Sequence, residues 1–398
     1  MTRRQRIATM FAVIALALTA SFCISCERKP LFLHDESHID LEFPMVEVEL
    51  EAYWDYEIGM GIHYDWHTEW FYGFDADGEL TETNIAYQIP DGYNLYLYRK
   101  NETYDTHIPS DSRRTDVDGT TYSGTFTWGW WDILAWSKLP KDVEVASIVV
   151  DEDDPMYNIT ARTNIAQLSQ ARTRSITRGE IRNQPDQLFA GYYENADVFE
   201  PLDQHGFLWN DTLQRWRKQI DMRLEPLTYI YLTQVILHHN QGRVVGTDGT
   251  GLLSGMAREV KLMTGVTGTD TVNVEYNTRF KLGCKKDDET VDIIAGRLLT
   301  FGLPNINANR VASRAEIEAD GRHYLEANLL FNNGADTTLV FDVTDQVQQR
   351  YRGGVITVEL DMTKIPTPGR RDGFSSFDAV VADYDTITRV IEMVKPRK

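Results

Sequence analysis

The chain has 398 residues, 42% of them hydrophobic and 11% aromatic, and a formal charge of −20. That length suits two domains, and the apolar fraction is ample for a packed core. An acidic body cannot neutralise phosphates, so nucleic acid is excluded as a partner.

Arg3, Arg4 and Arg6 precede an uncharged, mostly apolar run from Ile7 to Ser25. A cationic head, an apolar stretch and a small residue before the cut read as an export signal peptide. With Cys26 next, the stretch resembles a bacterial lipoprotein signal, in which cleavage precedes a cysteine that then carries acyl chains. Cleavage is expected between Ser25 and Cys26; Cys23 stands where such signals carry an aliphatic residue. The alternative is an uncleaved helix, since about 20 apolar residues span a bilayer. Acyl chains on Cys26 would make the membrane a partner, each buried methylene adding about 0.8 kcal/mol. Cys284 then remains single, and no intramolecular disulfide is expected.

Residues 26–42 read as a lipidated cysteine and a polar tether. Beyond them the dominant period is two. Val46, Val48 and Leu50 alternate with Glu47, Glu49 and Glu51, which predicts a half-buried strand. Asp91-Gly92 turns into a strand over Tyr93 to Tyr98. Asp118-Gly119 precedes another over Thr120 to Trp131, rich in Thr and aromatics. Val143 to Val150 makes a fourth, ended by the acidic run Asp151 to Asp154. Residues 159–184 are polar and Arg-rich and read as a loop or short helix. Leu188 to Tyr193 is a further short segment, and 194–215 reads as a mixed loop.

A second β run starts near Trp216. Leu227 to His238 is the longest strand candidate, and Gly246 to Gly255 reads as a turn-rich connector. Strands follow at Thr271 to Leu282, Tyr324 to Phe331, Leu339 to Val343, Val355 to Leu360, Ala379 to Tyr384 and Thr386 to Met393. Short strands at this spacing, with Gly, Asp and Asn turns, predict an all-β fold of antiparallel sandwiches. The predicted division is an N-terminal sandwich over 43–210 and a C-terminal one over 211–398.

Few residues point to chemistry. His63, Asp65 and His67 would share one face of a strand as a metal set, against an exposed aromatic sheet face with Trp66, Trp70, Phe71 and Tyr72. Asp75-Ala76-Asp77-Gly78-Glu79 places Gly fourth, where a calcium loop needs it sixth; a turn is expected. Gly246 to Gly255 lacks the lysine of a phosphate loop. His238 and His239 would point to opposite faces of a strand. Cys284 beside Lys285 and Lys286 is a candidate for a lowered thiol pKa. No catalytic motif is present, so neither enzyme activity nor a cofactor or metal is expected. Trp128, Trp130 and Trp131, with Trp136, Trp66 and Trp70, could form a stacking platform for sugar rings. Core packing accounts for the same residues and is the preferred reading.

Several segments carry a family likeness: Ser25-Cys26-Glu27-Arg28, Ile89-Pro90-Asp91-Gly92-Tyr93, Gln184-Pro185-Asp186-Gln187-Leu188-Phe189, Leu253-Ser254-Gly255-Met256-Ala257 and Phe341-Asp342-Val343-Thr344-Asp345. In this order the chain resembles the fimbrillin-like lipoproteins of Bacteroidales, closest to those related to minor fimbrial anchor subunits. The resemblance implies two tandem transthyretin-like β-sandwiches, export to the outer membrane and cell surface, and a role in fimbriae. Polymerising members exchange a β-strand between subunits; anchor members stay lipidated at the filament base. Fimbrillin subunits joined by β-strand addition are therefore the expected protein partners. The alternative is a surface protein that binds glycans or peptides through its aromatic residues.

Overall fold

In the computed structural model the described residues are 46–54, 65–101, 106–107, 111–139, 147–151, 156–164, 179–198, 207–212, 214–307, 312–318 and 321–368. The expected signal peptide, Cys26, the tether, His63 and the strands at 379–384 and 386–393 lie outside them. So does most of the expected strand at 143–150, of which Ile148 onward is described.

The first half contributes β1 (Val46–Trp54), β2 (Gly92–Asn101), β3 (Thr106–His107), β4 (Arg113–Asp118), β5 (Thr121–Phe126), β6 (Gly129–Ser137), β7 (Ile148–Asp151), β8 (Thr160–Thr163), β9 (Ile181–Asn183), β10 (Phe189–Val198), β11 (Phe207–Asn210) and β12 (Arg215–Pro226). The second contributes β13 (Tyr229–His238), β14 (Val244–Gly246), β15 (Thr250–Ala257), β16 (Glu259–Lys261), β17 (Thr271–Lys286), β18 (Glu289–Thr300), β19 (Tyr324–Phe331), β20 (Asp336–Asp342) and β21 (Gly354–Asp361). Two short helices, α1 (Arg314–Glu318) and α2 (Thr344–Gln349), interrupt it. The fold is all-β, and no helix among the described residues is long and apolar enough to cross a membrane.

One nine-stranded sheet runs β3-β2-β6-β10-β12-β1-β5, with β4 also on β2 and β11 also on β12. The other runs β14-β19-β15-β17-β18-β13-β21, with β20 on β19 and β9 on β17. β7, β8 and β16 form a small third sheet. Pairing is antiparallel except for β1 with β12, β13 with β21 and β9 with β17. Apart from β9, which joins the second sheet, the large sheets change over between Pro226 and Tyr229. The expected division at residue 210 therefore cuts the first sheet, because β11 and β12 form a hairpin there with Trp209 opposite Trp216.

Several expected elements differ in extent. The run Thr120 to Trp131 breaks at Thr127-Trp128 into β5 and β6. The polar stretch 159–184 holds β8 and β9, and the expected mixed loop holds the end of β10 and all of β11. The expected connector Gly246 to Gly255 contains most of β15, whose register shifts at a bulge between Leu253 and Met256. Gly255 takes φ +80 there, the left-handed conformation a bulge asks of glycine. β17, with 16 residues, exceeds β13 in length.

The two hydrophobic cores each draw on both halves of the chain. On β6, Trp131, Ile133 and Ala135 enter one core, while Leu134 and Trp136 enter the other. β13 divides likewise, with Ile230, Leu232 and Ile236 on one side and Tyr229, Tyr231, Val235 and Leu237 on the other. Strands buried on both faces have no wet face to alternate with, which is why β13 reads as a continuous apolar run.

Residues 65–91, which contain only one 3-10 turn, lie over the second sheet. Tyr72, Leu80, Ile85 and Tyr87 are buried. Gln234 of β13 donates through Nε2 to Glu69 O (2.6 Å) and accepts from Phe71 N (3.0 Å). Tyr87 Oη donates to Thr228 O at 2.6 Å, and Arg297 Nε donates to Ile85 O at 3.0 Å. This segment straps the first half to the second.

Candidate functional site: sheet edges and aromatic segments

A protein that joins others by strand addition needs main-chain groups at a sheet edge. β5 ends the first sheet and pairs only with β1 among the described residues. Arg113 Nη1 donates to Thr125 O of that strand at 2.5 Å, and its guanidinium lies 5.8 Å from the rings of Phe126 and Trp131. β1 holds β5 to the sheet. Six of its residues pair antiparallel with β5 and eight pair parallel with β12. Being the first described strand, it fills a slot whose walls belong to later parts of the chain.

The second sheet ends differently on its two sides. At β21, α2 presents Gln346 to the outer main chain. Gln346 Nε2 donates to Thr357 O, and Thr357 N donates to Gln346 Oε1, both at 2.9 Å. The side-chain amide does there what a neighbouring peptide would do. At the opposite end, β20 pairs with β19 over seven residues, Tyr324–Leu330 against Asp336–Asp342, and its other side has no strand partner among the described residues. Its sequence, DTTLVFD, carries none of the lysine, proline or bulges that commonly guard an exposed edge.

The three tryptophans do not form a platform. Trp131 is fully buried, donates through Nε1 to Thr127 O at 3.0 Å and packs edge-on against Phe126. A sugar ring cannot reach it, because alternation turns it inward next to an outward Trp130. Trp128 is half-buried against the same core, and Trp130 is exposed on the opposite face of β6. A more accessible pair lies elsewhere: Trp209 is 45% exposed and meets Trp216 edge-on at 5.3 Å, with Leu208 beside it 70% exposed. Their place in an expected loop hid the hairpin that displays them.

The other candidates resolve into structural contacts. Asp65 caps the 3-10 turn by accepting from His67 N, and His67 stacks on Trp66 at 3.8 Å. No cluster of metal-ligating side chains occurs among the described residues. The acidic loop 75–79 meets the basic residues of β17: Arg279 bridges Asp77 at 2.8 Å and Asp75 at 3.5 Å, and Lys281 lies 3.7 Å from Asp75. Protein cations thus balance the carboxylates of this loop. Burial, then the Asp75 carboxylate, pushes the Tyr72 phenol up. An open groove of about 540 Å³ beside these residues is lined also by Thr247, Asp248 and Phe280.

His238 lies between Glu289 (2.9 Å) and Glu359 (3.0 Å), whereas His239 meets Asp361 at 3.3 Å. Cys284 corrects an expectation: burial pushes its thiol up, outweighing the opposing charge of Lys281. Lys285 and Lys286 are directed elsewhere, to Thr290 and Glu359.

No family model matches the chain, and no curated protein matches it. Solved structures do. A candidate adhesin from Bacteroides ovatus aligns with a TM-score of 0.47 at 12% identity, covering 82% of this chain and 95% of its own. The fimbrial anchor protein Mfa2 of Porphyromonas gingivalis aligns with a TM-score of 0.34 at 10% identity, covering 79% and 90%. The tip fimbrial protein Mfa3 of the same species, C-terminally truncated, aligns at 0.31 with 9% identity, covering 75% and 82%.

Proposed function

We propose that this chain is a lipid-anchored outer-membrane protein at the cell surface, serving as an anchor or accessory subunit of a fimbria-like polymer. Its body is two tandem sandwich-like halves, and its role is structural rather than enzymatic. The observation that carries the reading is β1. The strand nearest the lipidation site sits between β12 and β5, in a slot that a strand of matching alternation from another subunit could fill. Main-chain hydrogen bonds would supply affinity, and alternate side chains the selectivity. Acyl chains on Cys26 would hold the base of the assembly in the membrane.

The anchoring half of the reading is tested by Cys26→Ala with cell fractionation and mass measurement of the product. The expected result is an uncut precursor or protein released from membranes. Correctly processed, membrane-retained protein would contradict it. The exposed Trp209 and Leu208 favour a second reading, in which the surface hairpin of β11 and β12 binds a glycan or peptide; loss of carbohydrate-array binding in Trp209→Ala would support it.

A further inference from the structure

We infer that Lys100 and Asn195 are joined by an isopeptide bond that the folded chain makes itself, with Asp132 moving the protons. The three side chains come from neighbouring strands of the first sheet, Lys100 from β2, Asp132 from β6 and Asn195 from β10. Lys100 Nζ donates to Asn195 Oδ1 at 2.7 Å and lies 3.5 Å from Asp132 Oδ2. Glu194 Oε1 is also 3.5 Å away, on a largely exposed carboxylate. Asp132 is fully buried and Lys100 nearly so. A simple buried ion pair looks different: Lys218, equally buried, meets the Asp197 carboxylate directly. Lys100 instead lies nearer to an amide than to either of these carboxylates.

The local fold arranges this. The register of β10 on β6 shifts at a bulge between Tyr193 and Ala196, and bulges re-aim side chains. Asn195, in the bulge, takes φ +56, a left-handed conformation that asparagine tolerates. Its main-chain N–H donates to Asp132 Oδ1 at 3.0 Å, so the carboxylate that faces the amine also fixes the residue carrying the amide. Tyr98 pairs with Asp132 across β2 and β6. Tyr192 is hydrogen-bonded to Asp132; burial, then that carboxylate's charge, push its phenol up and keep it a donor. Moving a proton from the Lys100 ammonium to Asp132 cancels two buried charges, which a low-polarity setting favours. The neutral Nζ then attacks Asn195 Cγ. A C–N bond forms and the Cγ–Nδ2 bond breaks; Asp132 delivers its proton to Nδ2 and takes one from Nζ, and Nδ2 leaves as ammonia. Asn195 is exposed, so the ammonia escapes to water. The step needs no oxidant, reductant or cofactor. The bond ties β2 to β10 over a separation of 95 residues. It restricts the unfolded chain as a disulfide does, in a body whose described cysteine, Cys284, is free. The inference does not depend on the fimbrial reading.

Tryptic peptide mapping of the denatured, detergent-solubilised full chain tests it. The expected product is a branched peptide joining Lys100 to Asn195, about 17 Da lighter than its two parts because ammonia is lost. It should be absent from Lys100→Arg and from Asn195→Gly, in which glycine accepts the left-handed bend. In Asp132→Asn, refolded from denaturant, the bond should form roughly a hundredfold more slowly or worse, since a placed proton-transfer group contributes about 10²–10⁴. Hydrogen exchange across β13 equal to the parent's checks that this variant folds. Separate, unmodified Lys100 and Asn195 peptides from the folded parent would overturn the inference. A branch at Glu194 or Asp132, with a loss of about 18 Da as water, would overturn it too and assign the bond to a carboxylate. An unchanged rate in folded Asp132→Asn would overturn the part given to Asp132.

Discussion

The side-chain amide of Gln346 makes two 2.9 Å hydrogen bonds to the main chain of Thr357, one donated and one accepted. A six-residue helix placed after β20 thereby closes the far edge of the same sheet. Gln346→Ala should lower stability by about 1–2 kcal/mol, since each net hydrogen bond contributes roughly 0.5–1.5 kcal/mol. It should also bare the β21 edge. Urea unfolding checks the first effect, and size-exclusion chromatography checks the second as a concentration-dependent shift toward dimers.

Gln234 secures the strap. It is fully buried, and it also donates to Thr357 Oγ1 at 2.9 Å. Gln234→Leu keeps the volume but leaves Glu69 O and Phe71 N without this partner. The expected loss is about 2–4 kcal/mol in urea unfolding, from two main-chain groups at roughly 1–3 kcal/mol each where burial is complete. Limited proteolysis should show earlier cleavage within residues 65–91. A variant cut no faster than the parent would contradict the strap.

The tryptophans separate packing from recognition. Trp131→Ala should cost about 3–5 kcal/mol, the range for emptying a buried aromatic site. Trp209→Ala, at a half-exposed position, should change stability by less than about 1 kcal/mol. Thermal unfolding of the two variants side by side checks this, and only Trp209→Ala is suitable for testing ligand binding.

Glu359 gives the fold an acid-sensitive contact. Burial alone would raise its carboxyl, but hydrogen bonds and charge from Lys286 and His238 outweigh that and hold it below the usual carboxylate range. A lowered folded-state pKa contributes stability above the unfolded value, near 4.3, and loses it as pH falls through the folded one. Glu359→Gln should therefore be less stable than the parent at pH 7, with the gap closing below about pH 4. Unfolding midpoints measured across that range decide it.

Runs of aromatic and β-branched residues between turns made several strands legible. β2, β19 and β21 fall close to where Tyr93 to Tyr98, Tyr324 to Phe331 and Val355 to Leu360 predict them. One strand buried on both faces was missed. β18, ETVDIIAGRLLT, went unread because nearly all its residues are buried and no period of two remains. The strap was illegible for another reason: its segment has no regular period, and its contacts are with residues far along the chain, as between Gln234 and Glu69. Of the candidate site residues, Cys26 lies outside the described residues, while Trp131 turned inward as part of the core. Trp209 carried no local signal, since its exposure depends on a hairpin that composition alone did not mark.

Affinity purification of the tagged protein from solubilised outer membranes, with mass spectrometry of what accompanies it, tests the central claim most directly. The expected result is a fimbrillin-like subunit recovered in a heat-stable, high-mass ladder together with this chain. Recovery of the protein alone, as a monomer, would contradict it.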